Sequence, residues 1–159
     1  GVGAFDHAMK KLNTLGFSKV LKEKADSGTP IMGICLGMQL LGTFSEEGNQ
    51  QGLNLISGAV RKFPKTSGLR IPHMGWNSVK ISDSKMSENL EENKFYFVHS
   101  YYYKPEQPKY VLGITKYGIE FASIINSKNI FGVQFHPESI GSPEGMALLG
   151  EFLLRASHC

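Results

Sequence analysis

Pro30-Ile31-Met32-Gly33-Ile34-Cys35-Leu36-Gly37-Met38-Gln39 passes from a short apolar run into a helical pattern, with a single cysteine at the junction. Residues 31–34 read as a short buried strand and residues 36–44 as a helix. Upstream, Phe5, Met9 and Leu12, then Phe17, Val20 and Leu21, recur at helical spacing, with an interruption at Gly16 and a stop at Ser27-Gly28. The order helix, strand, helix predicts an α/β domain with parallel strands. Cys35 then lies at the carboxyl end of a strand, where open α/β sheets place their sites.

A nucleophile on a sharp strand-to-helix turn has its neighbours crowded together, and glycines two before and two after relieve that crowding. Gly33 and Gly37 occupy those positions. A helix starting near Leu36 would aim its free N–H groups at the sulfur and favour thiolate over thiol. The competing reading is a small buried hydrophobe, a common fate of free cysteine, so the rest of the chain has to decide.

The chain has 159 residues, 41% hydrophobic and 19% charged, which fits one domain with a core of useful size. Its apolar stretches are broken well before the roughly 18 residues of a membrane span. No charged-then-apolar leader opens the sequence, and two distant cysteines make no disulfide framework. These features predict a cytoplasmic protein. A net charge of +3 with dispersed lysines gives little reason to expect nucleic acid.

Beyond residue 50 the chain changes character, and 53–63, 77–81, 95–98, 111–115, 121–125 and 130–135 read as strands separated by turn residues. Residues 82–94 read as a solvated loop or short helix. Near the end, 143–154 reads as a helix with Ser142 and Pro143 as start signals and Met146, Leu149, Phe152 and Leu153 on one face.

His136 and Glu138, in Gly132-Val133-Gln134-Phe135-His136-Pro137-Glu138-Ser139, stand two apart where a strand runs out. Residues two apart on a strand share a side. Glu138 can therefore hold the imidazole in one tautomer while the other ring nitrogen takes the proton of Cys35. Pro137 ends sheet pairing between them. Acyl transfer also needs donors for an oxyanion. Candidates are the backbone N–H of Val2 or Gly3, in the Gly1-Val2-Gly3 loop, and that of Leu36. No metal is expected, because the histidines lack a second ligand at useful spacing, and no organic cofactor is implied.

The Gly33-Ile34-Cys35-Leu36-Gly37-Met38-Gln39 string together with Phe135-His136-Pro137-Glu138 resembles the class I glutamine amidotransferases along the whole chain. Within that family, Ser45-Glu46-Glu47-Gly48, Pro72-His73-Met74-Gly75-Trp76-Asn77 and Phe95-Tyr96-Phe97-Val98-His99-Ser100-Tyr101-Tyr102 look like the glutaminase subunit of imidazole glycerol phosphate synthase. The resemblance implies a flavodoxin-like, three-layer fold with a mixed sheet. It implies a Cys35, His136, Glu138 triad that hydrolyses L-glutamine through a γ-glutamyl thioester. It also implies a heterodimer with a (β/α)₈-barrel cyclase, which receives the ammonia during histidine biosynthesis. Gln39 and Glu47 would hold the substrate, the backbone at Ser100 and Tyr101 its carboxylate end, and Trp76 and Asn77, on a surface loop at 72–77, would face the synthase subunit.

Two departures accompany the resemblance. Family members carry a first βαβ unit ahead of the Gly1-Val2-Gly3 loop, so the chain is expected to be an N-terminally incomplete single domain with exposed sheet edge. Ser139 follows Glu138 where the histidine-pathway subunit has a lysine facing the cyclase. That leaves three alternatives: the same glutaminase chemistry serving another synthase, such as one for surface-sugar amidation, a non-catalytic interaction module of the same fold, or a cysteine hydrolase acting on other substrates.

Overall fold

A computed structural model of the chain describes residues 3–65, 68–82 and 93–156. Most of the expected loop at 82–94, and Val2, lie outside the described residues. Helices α1 (Phe5–Thr14) and α2 (Phe17–Asp26) are separated by Gly16, whose φ of 76° is left-handed. Glycine takes that conformation without a Cβ penalty, and the interruption falls where the sequence places it. Phe5 and Met9 are buried as expected, but Phe17 and Val20 are exposed at 52% and 46%.

Strand β1 (Ile31–Ile34) runs into helix α3 (Leu36–Leu40). Then follow β2 (Phe44–Ser45), β3 (Gly58–Lys62), β4 (His73–Ser78), β5 (Lys80–Ile81), β6 (Lys94–His99), β7 (Tyr101–Pro105), a 3₁₀ turn (Pro108–Tyr110), β8 (Val111–Tyr117), β9 (Ile119–Ser127), β10 (Ile130–Val133) and helix α4 (Pro143–Ala156). The main sheet runs β1-β10-β9-β7-β3-β2, with β8 and β5 joined through β9. It is mixed. β1 is parallel to β10 and β2 to β3, while β10, β7 and β8 are antiparallel to β9. The expectation of parallel strands thus holds at the elbow and fails in the strand-rich half, where hairpin connections impose antiparallel pairing.

Each face of this sheet carries its own core. On β10, Ile130 faces the cluster containing Phe5, Met9, Met38 and Leu41, whereas Phe131 and Val133 face one built from Phe63, Phe95, Phe97, Phe121 and Phe135. This is the period-two alternation of a strand covered on both faces. The second cluster is roofed by a separate two-stranded ribbon, β4 with β6, and by Leu148 of α4.

Two expectations change here. Residues 53–57 are not strand: the N–H groups of Leu53, Leu55 and Ile56 bind carbonyls at the end of α3, so this stretch caps the helix. The buried side of α4 is Gly145, Leu148 and Phe152, while Met146 and Leu153 are exposed at 64% and 65%. The helix carries Glu144 and Glu151, seven apart, as an acidic stripe directly beside Leu148 and not opposite it, so periodicity points away from the side that is buried. Its start is as expected, with Ser142 Oγ accepting from the N–H of Gly145 at 3.0 Å as a cap does. Among the described residues no helix is long and apolar enough to cross a membrane.

Candidate active site

Cys35 adopts φ 51° and ψ −107° between β1 and α3, a strained backbone for a non-glycine residue. Its N–H is held by the Val133 carbonyl at 2.8 Å, which ties the turn to the end of β10. A Cβ on Gly33 would lie 2.6 Å from the backbone of Gly37, so the turn closes only with glycine at 33. The expected symmetry is absent. A Cβ on Gly37 would meet nothing within 4 Å outside its own helix, so crowding accounts for Gly33 alone.

His136 is fixed by its N–H to the Tyr96 carbonyl at 2.9 Å, and its Nδ1–H donates to Glu138 Oε1 at 2.8 Å. Strand parity does not produce this pair. β10 ends at Val133, and residues 137–140 form a turn that brings Glu138 back to the ring. The turn is braced by α4, because a Cβ on Gly145 would lie 2.1 Å from the Pro137 carbonyl oxygen. His136 Nε2 is buried and has no hydrogen-bond partner among the described residues. The nearby Cys35 thiol, followed by the bond to Glu138, nevertheless holds the imidazole above its ordinary pKa against the opposing effect of burial. Burial pushes the Glu138 carboxyl up, and the His136 bond with the carboxyl's own backbone contact outweighs it and brings it below the usual value. The pair is therefore polarised toward imidazolium and carboxylate, the arrangement of a base with its orienting group.

The Cys35 side chain opens on a cavity of about 300 Å³, within the range of small-molecule sites. Gly3, Leu36, Gln39, Glu47, Ser100 and Tyr101 line it with the thiol, so the predicted oxyanion and substrate residues that are described surround one space. Glu47 is secured from both sides. Its Oε2 accepts from the N–H of Phe5 at 2.9 Å, Asp6 accepts from the N–H groups of Asn49 and Gln50, and Glu46 bonds Arg61 at 2.7 Å and the N–H of Lys62 at 2.8 Å. Gln39 is 5% exposed rather than an outward helix position. Its Nε2 donates to the Tyr101 carbonyl and to Gln134 Oε1, each at 3.1 Å, leaving its own Oε1 as the group available to a ligand.

Residues 72–77 do not form a loop. His73 to Asn77 lie on β4, with His73 buried inward and Met74 and Trp76 outward at 61% and 49% exposure. Trp76 is thus a surface residue, packed edge-on against Tyr96. Asn77 turns inward, its Nδ2 bonded to His73 and to the Lys116 carbonyl. Across the ribbon Met74 pairs with Val98, and Val98 lines the cavity, so the exposed apolar face borders the mouth of the site.

Sequence reasoning missed what three buried polar residues do, of which His99 itself lines the cavity. His99 Nδ1 lies 2.8 Å from the Tyr101 carbonyl, which requires a proton on that nitrogen. His99 Nε2 must then accept from His73 Nδ1–H at 3.0 Å, and His73 Nε2 from Asn77. One carbonyl thereby sets both tautomers. Burial pushes His99 down to about 3 and His73 down to about 4, so both are neutral at pH 7. The third missed residue is Gln134, fully buried, whose Nε2 donates to Cys35 Sγ at 3.7 Å. Only the Phe-Tyr-Phe-Val-His alternation hinted that His99 faces inward. No group of three or more His, Cys, Asp or Glu that could hold a metal occurs among the described residues.

A thiol at a strained elbow, a histidine and carboxylate pair beside it and a lined cavity form an arrangement suited to acyl transfer. The family model for glutamine amidotransferase class-I spans residues 3–156. The chain belongs to the class I glutamine amidotransferases. This amidotransferase chain is 48% identical over 159 residues to imidazole glycerol phosphate synthase subunit HisH 2 of Methanococcus maripaludis, covering 98% of itself and 78% of that protein. It is 46% identical over 155 residues to the subunit HisH of Moorella thermoacetica, covering 96% and 72%. A solved glutamine amidotransferase structure superposes with a TM-score of 0.69 at 17% identity over 93% of this amidotransferase and 72% of that chain, a likeness of fold.

Proposed function

We propose that the chain is the glutaminase subunit of imidazole glycerol phosphate synthase, hydrolysing L-glutamine to glutamate and ammonia for a (β/α)₈-barrel cyclase partner. The observation that carries the chemistry is the buried Nε2 of His136, beside the Cys35 thiol and without a hydrogen-bond partner among the described residues, with Nδ1 held by Glu138. His136 takes the thiol proton through Nε2, and the sulfur attacks the side-chain amide carbon of glutamine. The N–H of Leu36, and that of Val2 or Gly3, receive the oxyanion. The proton returns to the departing nitrogen as ammonia leaves and a thioester remains, and water activated by His136 then releases glutamate and the free thiol. Glu47 suits the substrate ammonium, the Ser100 and Tyr101 backbone its carboxylate, and Gln39 its orientation.

Relatives at 46–48% identity named as HisH subunits support the histidine pathway over another synthase. The exposed Met74 and Trp76 beside the cavity mouth suit a partner that receives ammonia directly. On this reading the protein works as one cytoplasmic domain of a heterodimer. Glutaminase turnover measured with and without the barrel subunit and its ribotide substrate tests it. Strong stimulation is expected, and turnover indifferent to both would send the ammonia to a different acceptor.

A further inference from the structure

We infer that Gln134 is a thiolate-holding residue, supplying a hydrogen-bond donor that stays on the sulfur when Cys35 loses its proton. The inference rests on Cys35 being the nucleophile.

The sulfur has two hydrogen-bond contacts besides its neighbour His136. The thiol donates to the Val98 carbonyl at 3.9 Å, and Gln134 Nε2 donates to the thiol at 3.7 Å, long distances suited to the large, diffuse sulfur atom. These contacts respond oppositely to ionisation. A carbonyl oxygen stabilises S–H and opposes S⁻, whereas an amide N–H binds S⁻ more strongly than S–H. Gln134 is fully buried, so its N–H acts where the surrounding dielectric is low.

The direction of the Gln134 amide follows from its surroundings. The Tyr101 carbonyl can only accept, so the Gln39 atom facing it must be nitrogen. That same NH₂ group faces Gln134 Oε1, which must therefore be oxygen. The remaining end of Gln134, its NH₂, is left on the sulfur. Tyr101 is in turn held by His99 at 2.8 Å, so the amide that meets the nucleophile is set by a fixed series of buried donors and acceptors. A residue there only to fill space would need neither end of that amide.

The test uses the protein assembled with its barrel subunit and two variants, Gln134→Met, which keeps volume without a donor, and Gln134→Glu, which keeps the acceptor for Gln39 and sets a carboxylate against the sulfur. Alkylation at Cys35 by iodoacetamide at pH 7, followed by peptide mass, should slow about tenfold in Gln134→Met and more in Gln134→Glu. The kcat for glutamine should fall further than KM rises. Rates in both variants within about twofold of wild type, or Gln134→Glu faster than Gln134→Met, would overturn the assignment. Should the variants fail to fold, wild-type protein labelled with ¹⁵N-glutamine decides. The Gln134 side-chain amide resonance should move with pH in step with Cys35 alkylation and stay still in Cys35→Ala, and a resonance that ignores the thiol removes the role. Alkylation reports on the sulfur without turnover, so failure here is distinct from Cys35→Ala retaining glutaminase activity, which would instead remove Cys35 as the nucleophile.

Discussion

Nδ1 of His136 stands 2.8 Å from Oε1 of Glu138, and the two groups titrate away from each other, the imidazole raised and the carboxyl lowered. A base must be neutral to accept the thiol proton, so a raised imidazole pKa places the acid limb of the kcat/KM profile higher in pH than an ordinary histidine would. Glu138→Gln removes one of the raising influences. It should move that limb to lower pH while lowering kcat about ten- to a hundredfold. A pH–rate profile checks it, and an unmoved limb would mean that Glu138 does not govern the histidine that titrates.

Cys35→Ala should reduce glutamine-dependent synthesis by the assembled enzyme by at least about 10⁴-fold, because the proposed mechanism draws its nucleophile from this thiol. Synthesis from ammonium salts should persist, since free ammonia enters without this site. Parallel assays with glutamine and with ammonium chloride compare the two, and retained glutamine turnover would refute the thioester route.

Gly33→Ala and Gly37→Ala should differ sharply. The first drives a methyl group to within 2.6 Å of the Gly37 backbone and should cost about 3 kcal/mol. The second meets open space and replaces a helical glycine, so it should be neutral or stabilising by about 0.5–1 kcal/mol. Urea midpoints of the two variants provide the comparison, and equal losses would contradict the one-sided crowding at the elbow.

Burial pushes His73 down to about 4 and His99 down to about 3 in the fold, against an ordinary 6.5. Between those values the unfolded chain binds more protons, so stability should decline as pH falls from about 7 toward 5, approaching two protons of dependence at the lower end. His136 contributes the other way. Its pKa is raised, so its share is complete below the unfolded value and is lost as pH rises through the folded one. Urea unfolding at intervals between pH 5 and 7, where most carboxylates remain ionised, measures the slope. A flat response would show that the buried pair carries no linkage.

Trp76→Ala should leave the urea midpoint nearly unchanged, because the side chain is 49% exposed. Its affinity for the barrel subunit should drop about thirtyfold, as loss of an aromatic anchor does. Titration calorimetry on the two purified subunits settles the matter, and undiminished affinity would move the interface off the ribbon.

The elbow and the His136–Glu138 segment were legible because their chemistry is local: a glycine that must lack a Cβ, a cysteine at a change of period, a histidine and a carboxylate joined by one short turn. The resemblance implied the mixed sheet and alternation located most of its strands, but which strands pair was not legible, since partners depend on contacts remote in sequence. Gln134 could not be read from the chain because its task depends on Gln39 and Tyr101, which fold up beside it from elsewhere. His73 read as a loop residue for a similar reason. A polar side chain between Met and Pro looks solvated until His99 provides the acceptor that permits its burial. The face of α4 was misjudged for the opposite reason: its acidic stripe, Glu144 and Glu151, lies beside Leu148 instead of opposite it, so polar contrast points the buried side away from where it is.

The brace between Gly145 and Pro137 also bears on the order in which the protein is made. Gln134 follows Cys35 by 99 residues, so during synthesis the thiol and its elbow emerge well before the base. The turn bearing Glu138 comes with it, packed against the Gly145 segment of α4 that follows. A half-made chain on the ribosome therefore carries the thiol of Cys35 without the histidine that stands beside it in the fold.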